Sequence, residues 1–236
     1  DALDDNYTPY QIEFPLDAGC RKKISIVCTI EDAYEKDAFA TAAAEMARFD
    51  ALEKKAGYHD ELAETLTIAA DHFLAYRQST GLMTVLAGLP WFTDWGRDTM
   101  IALTGLTLAT GRYQDARDIL TTFARYVHHG MVPNMFPDEG TAPLYNTADA
   151  SMWYFYAVGK YLDYTGTPED YAFVQETIYP KLKEIIAAYE HGTDFSIYME
   201  EDGLIHAGSG LDQVTWMDVR VGDWFATPRH GKPVEI

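Results

Sequence analysis

The chain has 236 residues and a formal charge of −19, with 47% apolar, 23% charged and 14% aromatic residues. That composition belongs to a folded globular protein and excludes intrinsic disorder, collagen-like repeats and coiled coils. The excess of acid argues against nucleic-acid phosphate or an anionic membrane as partner, and leaves uncharged substrates open. The length suits one large domain or two small ones. Cys20 and Cys28 alone make neither a disulfide framework nor a metal cluster. No signal peptide is visible and no apolar run is long enough to span a bilayer, so a soluble, cytoplasmic protein is expected. The start at Asp1 suggests part of a longer chain.

Along the chain, residues 12–16 and 23–31 are rich in β-formers and flank a turn signal, Asp17-Ala18-Gly19. Two strands alone bury too little to be stable. Residues 1–31 are therefore expected to be the end of an N-terminal β domain, a hairpin closing a sheet that lies upstream, or else a linker, with a second region over 32–236. From Tyr34 the pattern is helical. Residues 37–55 are rich in Ala, Glu, Met and Lys, and residues 60–77 carry an apolar stripe of helical period. Residues 99–110 and 113–128 form a pair divided at Gly111, and 147–164 follow. Thr167-Pro168-Glu169-Asp170 reads as a helix start, with Thr as N-cap and Pro at the first position. That helix continues to 191, and Pro180 should kink or split it.

The 147–164 segment is apolar or aromatic on nearly every face and is expected to be buried all round, with 99–108 similar. The amphipathic 60–77 and 168–191 segments should lie outside. Alternating inner and outer helices joined by short turns predict a mainly α protein, an αα-toroid or a helical solenoid. Residues 193–236 are loop-rich.

Four clusters could carry chemistry. Gly88 to Asp98 (GLPWFTDWGRD) places two Trp, two Asp and an Arg before a buried helix. Flat rings suit the C–H faces of a sugar, and planar charged groups suit its hydroxyls. Alternatively, Asp98 caps the helix and pairs with Arg97. In GLDQVTWMD, Asp212 and Asp218 lie near Trp216. A carboxyl against an indole loses hydration and can stay protonated as an acid; the alternative is a solvated turn. Asp149 in YNTAD is either a substrate acceptor or a first-turn helix charge. The fourth cluster is Thr227 to Ile236 (TPRHGKPVEI). Adjacent His128-His129 and the two cysteines lack zinc spacing, and neither a phosphate loop nor a nucleophile elbow is present. No metal or cofactor is expected.

Together, PWFTDWGRDTMIAL, YNTADASMWYFYAV, TWMD and ATPRHGKPVEI, in this order from Gly88 to Ile236, resemble the glucosidase domain of glycogen debranching enzymes, the amylo-α-1,6-glucosidases. The resemblance implies an (α/α)6 barrel, preceded in bacterial relatives by a β-sandwich. About six helical segments are visible, roughly half of what such a barrel needs. It implies release of glucose from α-1,6 branch stubs of a glycogen-like α-glucan by inverting acid/base hydrolysis. It makes Asp218 the general acid. Trp95, Arg97 and Asp98 would hold the terminal glucose, and Asp149, Trp216 and Glu235 would line the pocket. The general base would come from beyond Ile236, so this stretch alone would be inactive, and self-association through its open inner helices is expected. A non-catalytic glucan-binding scaffold is the alternative of another class. A glucoamylase- or trehalase-like toroid is the alternative enzyme.

Overall fold

The computed structural model describes residues 11–30, 32–89, 91–137, 142–234 and 236. It divides into two compact units, Asp1–Arg48 and Phe49–Ile236. In the first unit the expected turn forms, with Cys20 N donating to Asp17 O at 3.0 Å. No strand flanks it among residues 11–30, where the hairpin was expected. The reason is physical: Ile12, Phe14, Leu16, Ile24 and Ile26 are all exposed, so pairing would bury nothing on either face. Cys20 and Cys28 are exposed free thiols. Helix α1 (Ala38–Ala56) starts where Asp37 Oδ1 accepts from Phe39 N at 2.9 Å.

The second unit is mainly helical. Asp60 caps α2 (Glu61–Asp71), accepting from Leu62 N and Ala63 N at 3.1 Å each. The helix expected to reach residue 77 stops at Asp71, and a hairpin follows: β1 (Leu74–Arg77) pairs with β2 (Leu82–Val85), antiparallel, Arg77 opposite Leu82. Gly81, at φ 69°, closes the turn and donates to Arg77 O at 2.9 Å. The helical stripe ends at Leu74, and a tertiary contact then outweighs local propensity: Arg77 is drawn to the buried Asp94.

Asp94 and Trp95 form β3, which pairs with β4 (Met135–Phe136) and leads without a break into α3 (Gly96–Leu103). Gly96 N donates to Asn134 O at 2.8 Å, and a Cβ on Gly96 would overlap the Pro133 carbonyl oxygen. A π turn (Thr104–Leu108) widens the end of α3, and α4 (Tyr113–Arg125) returns across it. α5 (Asp149–Tyr164) packs against both. Met100, Leu103, Ile119, Leu120, Phe123, Tyr154 and Tyr161 form the fully buried centre. There Tyr154 donates to Leu120 O at 2.8 Å, and burial pushes its phenol pKa up.

Helix α5 is not buried all round. Asp149, Tyr154, Ala157, Val158 and Tyr161 face the core, whereas Trp153 is half-buried and Tyr156 and Tyr164 are exposed. Apolarity of a helix reports what it can bury, and here α3 and α4 cover only one side. Next, α6 (Pro168–Phe173) begins with a reciprocal capping box between Thr167 and Asp170. A π turn (Val174–Ile178) absorbs Pro180, which falls in the first turn of α7 (Tyr179–His191), where a missing N–H costs little. The tail holds two small hairpins: β5 (Tyr198–Met199) with β6 (Ile205–His206), and β7 (Arg220–Val221) with β8 (Trp224–Phe225).

The junction at Gly96 gives a paired test. Gly96→Ala should lower stability by about 1–3 kcal/mol through forced displacement at Pro133. Gly159→Ala, in the same domain but facing open space within α5, should raise it by up to about 1 kcal/mol. Urea midpoints check both; equal effects would contradict the close packing.

Candidate functional site

The GLPWFTDWGRD segment is built outward from one buried anion. Asp94 is fully buried and takes three donors: Arg77 Nε at 2.7 Å, Arg77 Nη2, and Thr84 Oγ1 at 2.9 Å. This fastens β3 to the β1–β2 hairpin and fixes the direction in which α3 leaves. Trp95, half-buried, meets Phe92 edge-on at 6.4 Å. Arg97, in the first turn of α3, reaches the first turn of α5. Its Nε and Nη2 bond Asp149 Oδ2 and Oδ1 at 2.6 Å each, and Nη2 also reaches Thr147 Oγ1 at 3.2 Å. Thr147 in turn donates to Asp149 Oδ1 at 3.0 Å.

Arg97 therefore pairs with Asp149 and not with its neighbour. Asp98 is left exposed, with its carboxylate in the cleft. Asp149 is a helix-terminal ion-pair partner whose side chain is 1% exposed, so its oxygens are largely committed. The residues just before α5 then dock on the tail. Ala148 N donates to Val214 O at 2.7 Å, and Asn146 Nδ2 to Gln213 O at 3.2 Å. From the other side Tyr189 donates to Ala148 O at 2.5 Å. Burial pushes the Tyr189 phenol pKa up and the Asp149 charge adds to that, against a hydrogen bond with Ser151.

Two adjoining hollows result. One, of about 340 Å³, is lined by Ala87, Phe92, Trp95, Arg97, Asp98 and Trp216. The other, of about 360 Å³, is lined by Arg97, Asp98, Ile101, Asp149, Trp153 and Trp216. They share Arg97, Asp98 and Trp216, and form one cleft with aromatic walls around a free carboxylate. Trp95, Arg97, Asp98, Asp149 and Trp216 thus converge, although they come from three distant segments. Phe92, Ile101 and Trp153 join them without having been singled out. Trp153 is one helical turn beyond Asp149, and that spacing is the signal that could have found it.

Asp218 is placed differently. Its side chain is buried and turned into its own loop: Oδ2 accepts from Val214 N at 2.5 Å and Thr215 N at 2.9 Å, and Oδ1 from Thr215 Oγ1 at 2.9 Å. Trp216, expected to shield it, is exposed in the cleft instead. Asp212 likewise serves its own turn, accepting from Ser209 N at 3.0 Å. Glu235 lies outside the described residues. Among the described residues no group of three His, Cys, Asp or Glu could hold a metal ion, and no helix is long and apolar enough to cross a membrane.

A helical domain that gathers aromatic rings and acids from helix N-termini around one cleft is of the kind that glycoside hydrolases use. The chain belongs to the amylo-alpha-1,6-glucosidase family, whose model matches residues 68–236. It is also 29% identical to the glycogen debranching enzyme of Saccharomyces cerevisiae, over 73% of this chain and 15% of that protein. The chain therefore spans a small part of that relative's length.

The Arg97–Asp149 pair predicts an asymmetry. Asp149→Ala should cost about 3–5 kcal/mol, because it strands a buried guanidinium. Replacing both partners by apolar residues, Arg97→Met with Asp149→Leu, should recover most of that loss. Chemical denaturation checks it; a double variant as unstable as the single one would contradict the account.

Proposed function

We propose that the protein is a glycoside hydrolase that releases glucose from α-1,6 branch stubs of a glycogen-like glucan, with inversion at the anomeric carbon. The observation that carries this reading is the convergence of Trp95, Asp98 and Trp216 on one cleft in a chain of this family. In this reading Trp95 and Trp216 stack on the apolar faces of the terminal glucose, and Asp98 accepts from its hydroxyls. Arg97 and Asp149 hold the floor rigid between them. The helices are part of an (α/α)6 toroid whose inner ring includes α3 and α5, with residues 1–31 as the linker before it. The working protein is cytoplasmic, with an α-glucan as partner, and the exposed inner faces allow self-association.

Asp218 is the general acid of this reading. It gives its proton to the glycosidic oxygen while a base elsewhere in the protein draws a proton from the attacking water. A second reading is a glucan-binding module without catalysis. It is favoured by the cleft's free carboxylate being Asp98, with Asp218 turned into its loop. A glucoamylase- or trehalase-like hydrolase would use the same cleft on another linkage.

The test uses the intact protein on a branched limit dextrin and on α-glucosyl fluoride, whose leaving group needs little protonation. Asp218→Asn should cut dextrin hydrolysis roughly 10²-fold or more and spare much of the fluoride reaction. Asp98→Asn should weaken both. Equal loss on both substrates for Asp218→Asn would remove it as the acid, and a wild type inert on both would favour the binding module.

A further inference from the structure

The two oxygens of Asp218 are not equivalent. Oδ2 takes two main-chain N–H groups, at 2.5 Å and 2.9 Å, and these donors cannot reverse. Oδ1 meets the Thr215 hydroxyl at 2.9 Å, and a hydroxyl can either donate or accept. A proton on Oδ2 would have to displace a main-chain bond, so the proton of a neutral Asp218 sits on Oδ1. Thr215 is itself held from both ends. Its N–H is one of the two donors to Oδ2, and its Oγ1 accepts from Met217 N at 3.3 Å. Both side chains are buried, where such a bond is stronger than in water. Between them in sequence, Trp216 reaches the cleft.

We propose that Thr215 is a positioning residue for hydrolysis, its hydroxyl holding Oδ1 of Asp218 in both protonation states. This rests on the acid role read for Asp218. In the reaction, the Oδ1 proton passes to the glycosidic oxygen. The C1–O bond breaks, and its electron pair goes to the departing sugar oxygen. Water forms the new bond to C1 and loses its proton to the base. As Oδ1 becomes anionic, the Thr215 hydroxyl donates to it, and that bond becomes charge-assisted. The main-chain bonds to Oδ2 are the same before and after the proton leaves Oδ1. Stabilisation that grows as charge develops lowers the barrier to the step without tightening ground-state binding.

Two substitutions in the intact protein test this. Thr215→Val keeps the shape and removes the hydroxyl; Thr215→Ser keeps the hydroxyl. On limit dextrin, Thr215→Val should lower kcat by at least about tenfold with KM little changed. On α-glucosyl fluoride it should stay near wild type, and Thr215→Ser should recover most of the dextrin rate. A merely structural Thr215 would lower both substrates together, and that result would overturn the proposal, as would no loss on either. If Thr215→Val melts early, Thr215→Ala is read by the same ratio of the two rates. A substrate-selective loss in Asp218→Asn but not in Thr215→Val would sink this proposal alone. No selective loss in Asp218→Asn would sink the acid assignment beneath it.

Discussion

The bidentate pair between Arg97 and Asp149 is the constraint on which the site depends. It joins the first turn of α3 to the first turn of α5, and its charged groups lie almost out of water. A buried ion pair is weak evidence for stability, since desolvation offsets most of its attraction. Its contribution is registry: the planar fork of Arg97 meets both oxygens of Asp149 in one orientation, which sets how the two helix ends stand. Each end is then tied further out. Asp94 fastens the entry to α3 through Arg77 and Thr84, and Ala148 fastens the entry to α5 through Val214 and Tyr189.

From this knot, hydrogen bonds and the chain between them run to the loop that carries Trp216. Arg97 holds Asp149, Ala148 bonds Val214, and the N–H groups of Val214 and Thr215 bond Asp218. The floor is therefore made of satisfied charges that hold geometry. The groups left free for a ligand are the rings of Phe92, Trp95 and Trp216 and the carboxylate of Asp98. That division suits a neutral polyhydroxylic ligand, which needs flat apolar surfaces and a few directed acceptors more than it needs net charge.

Features encoded within one turn of chain were legible in the sequence. The Thr167–Asp170 cap needs only four residues, and the break at Pro180 needs only its missing N–H. The WGRD and TWMD clusters stood out because Trp with charge in loops is a costly combination unless it is used. What was not legible depends on partners distant in sequence. The 74–77 stretch is a strand because Arg77 meets Asp94, and propensity has no view of that. Arg97 chose Asp149 over the adjacent Asp98 because neighbouring side chains on a helix do not face each other. Asp218 looked like a partner for Trp216, but the N–H groups of its own loop were nearer. The apolar face of α5 could not say how much of itself would be covered, since that is set by the neighbouring helices.

The central claim is that this cleft receives the end of a glucan, and indole N–H resonances report on it directly. Titration of the protein with a short branched α-glucan, followed by NMR of the tryptophan Nε1–H groups, separates the cleft from the rest of the surface. Trp95 and Trp216 should shift together with one dissociation constant, while Trp224, exposed on β8 and outside the cleft lining, stays in place. Shifts confined to Trp224, or none at saturating glucan, would contradict the account.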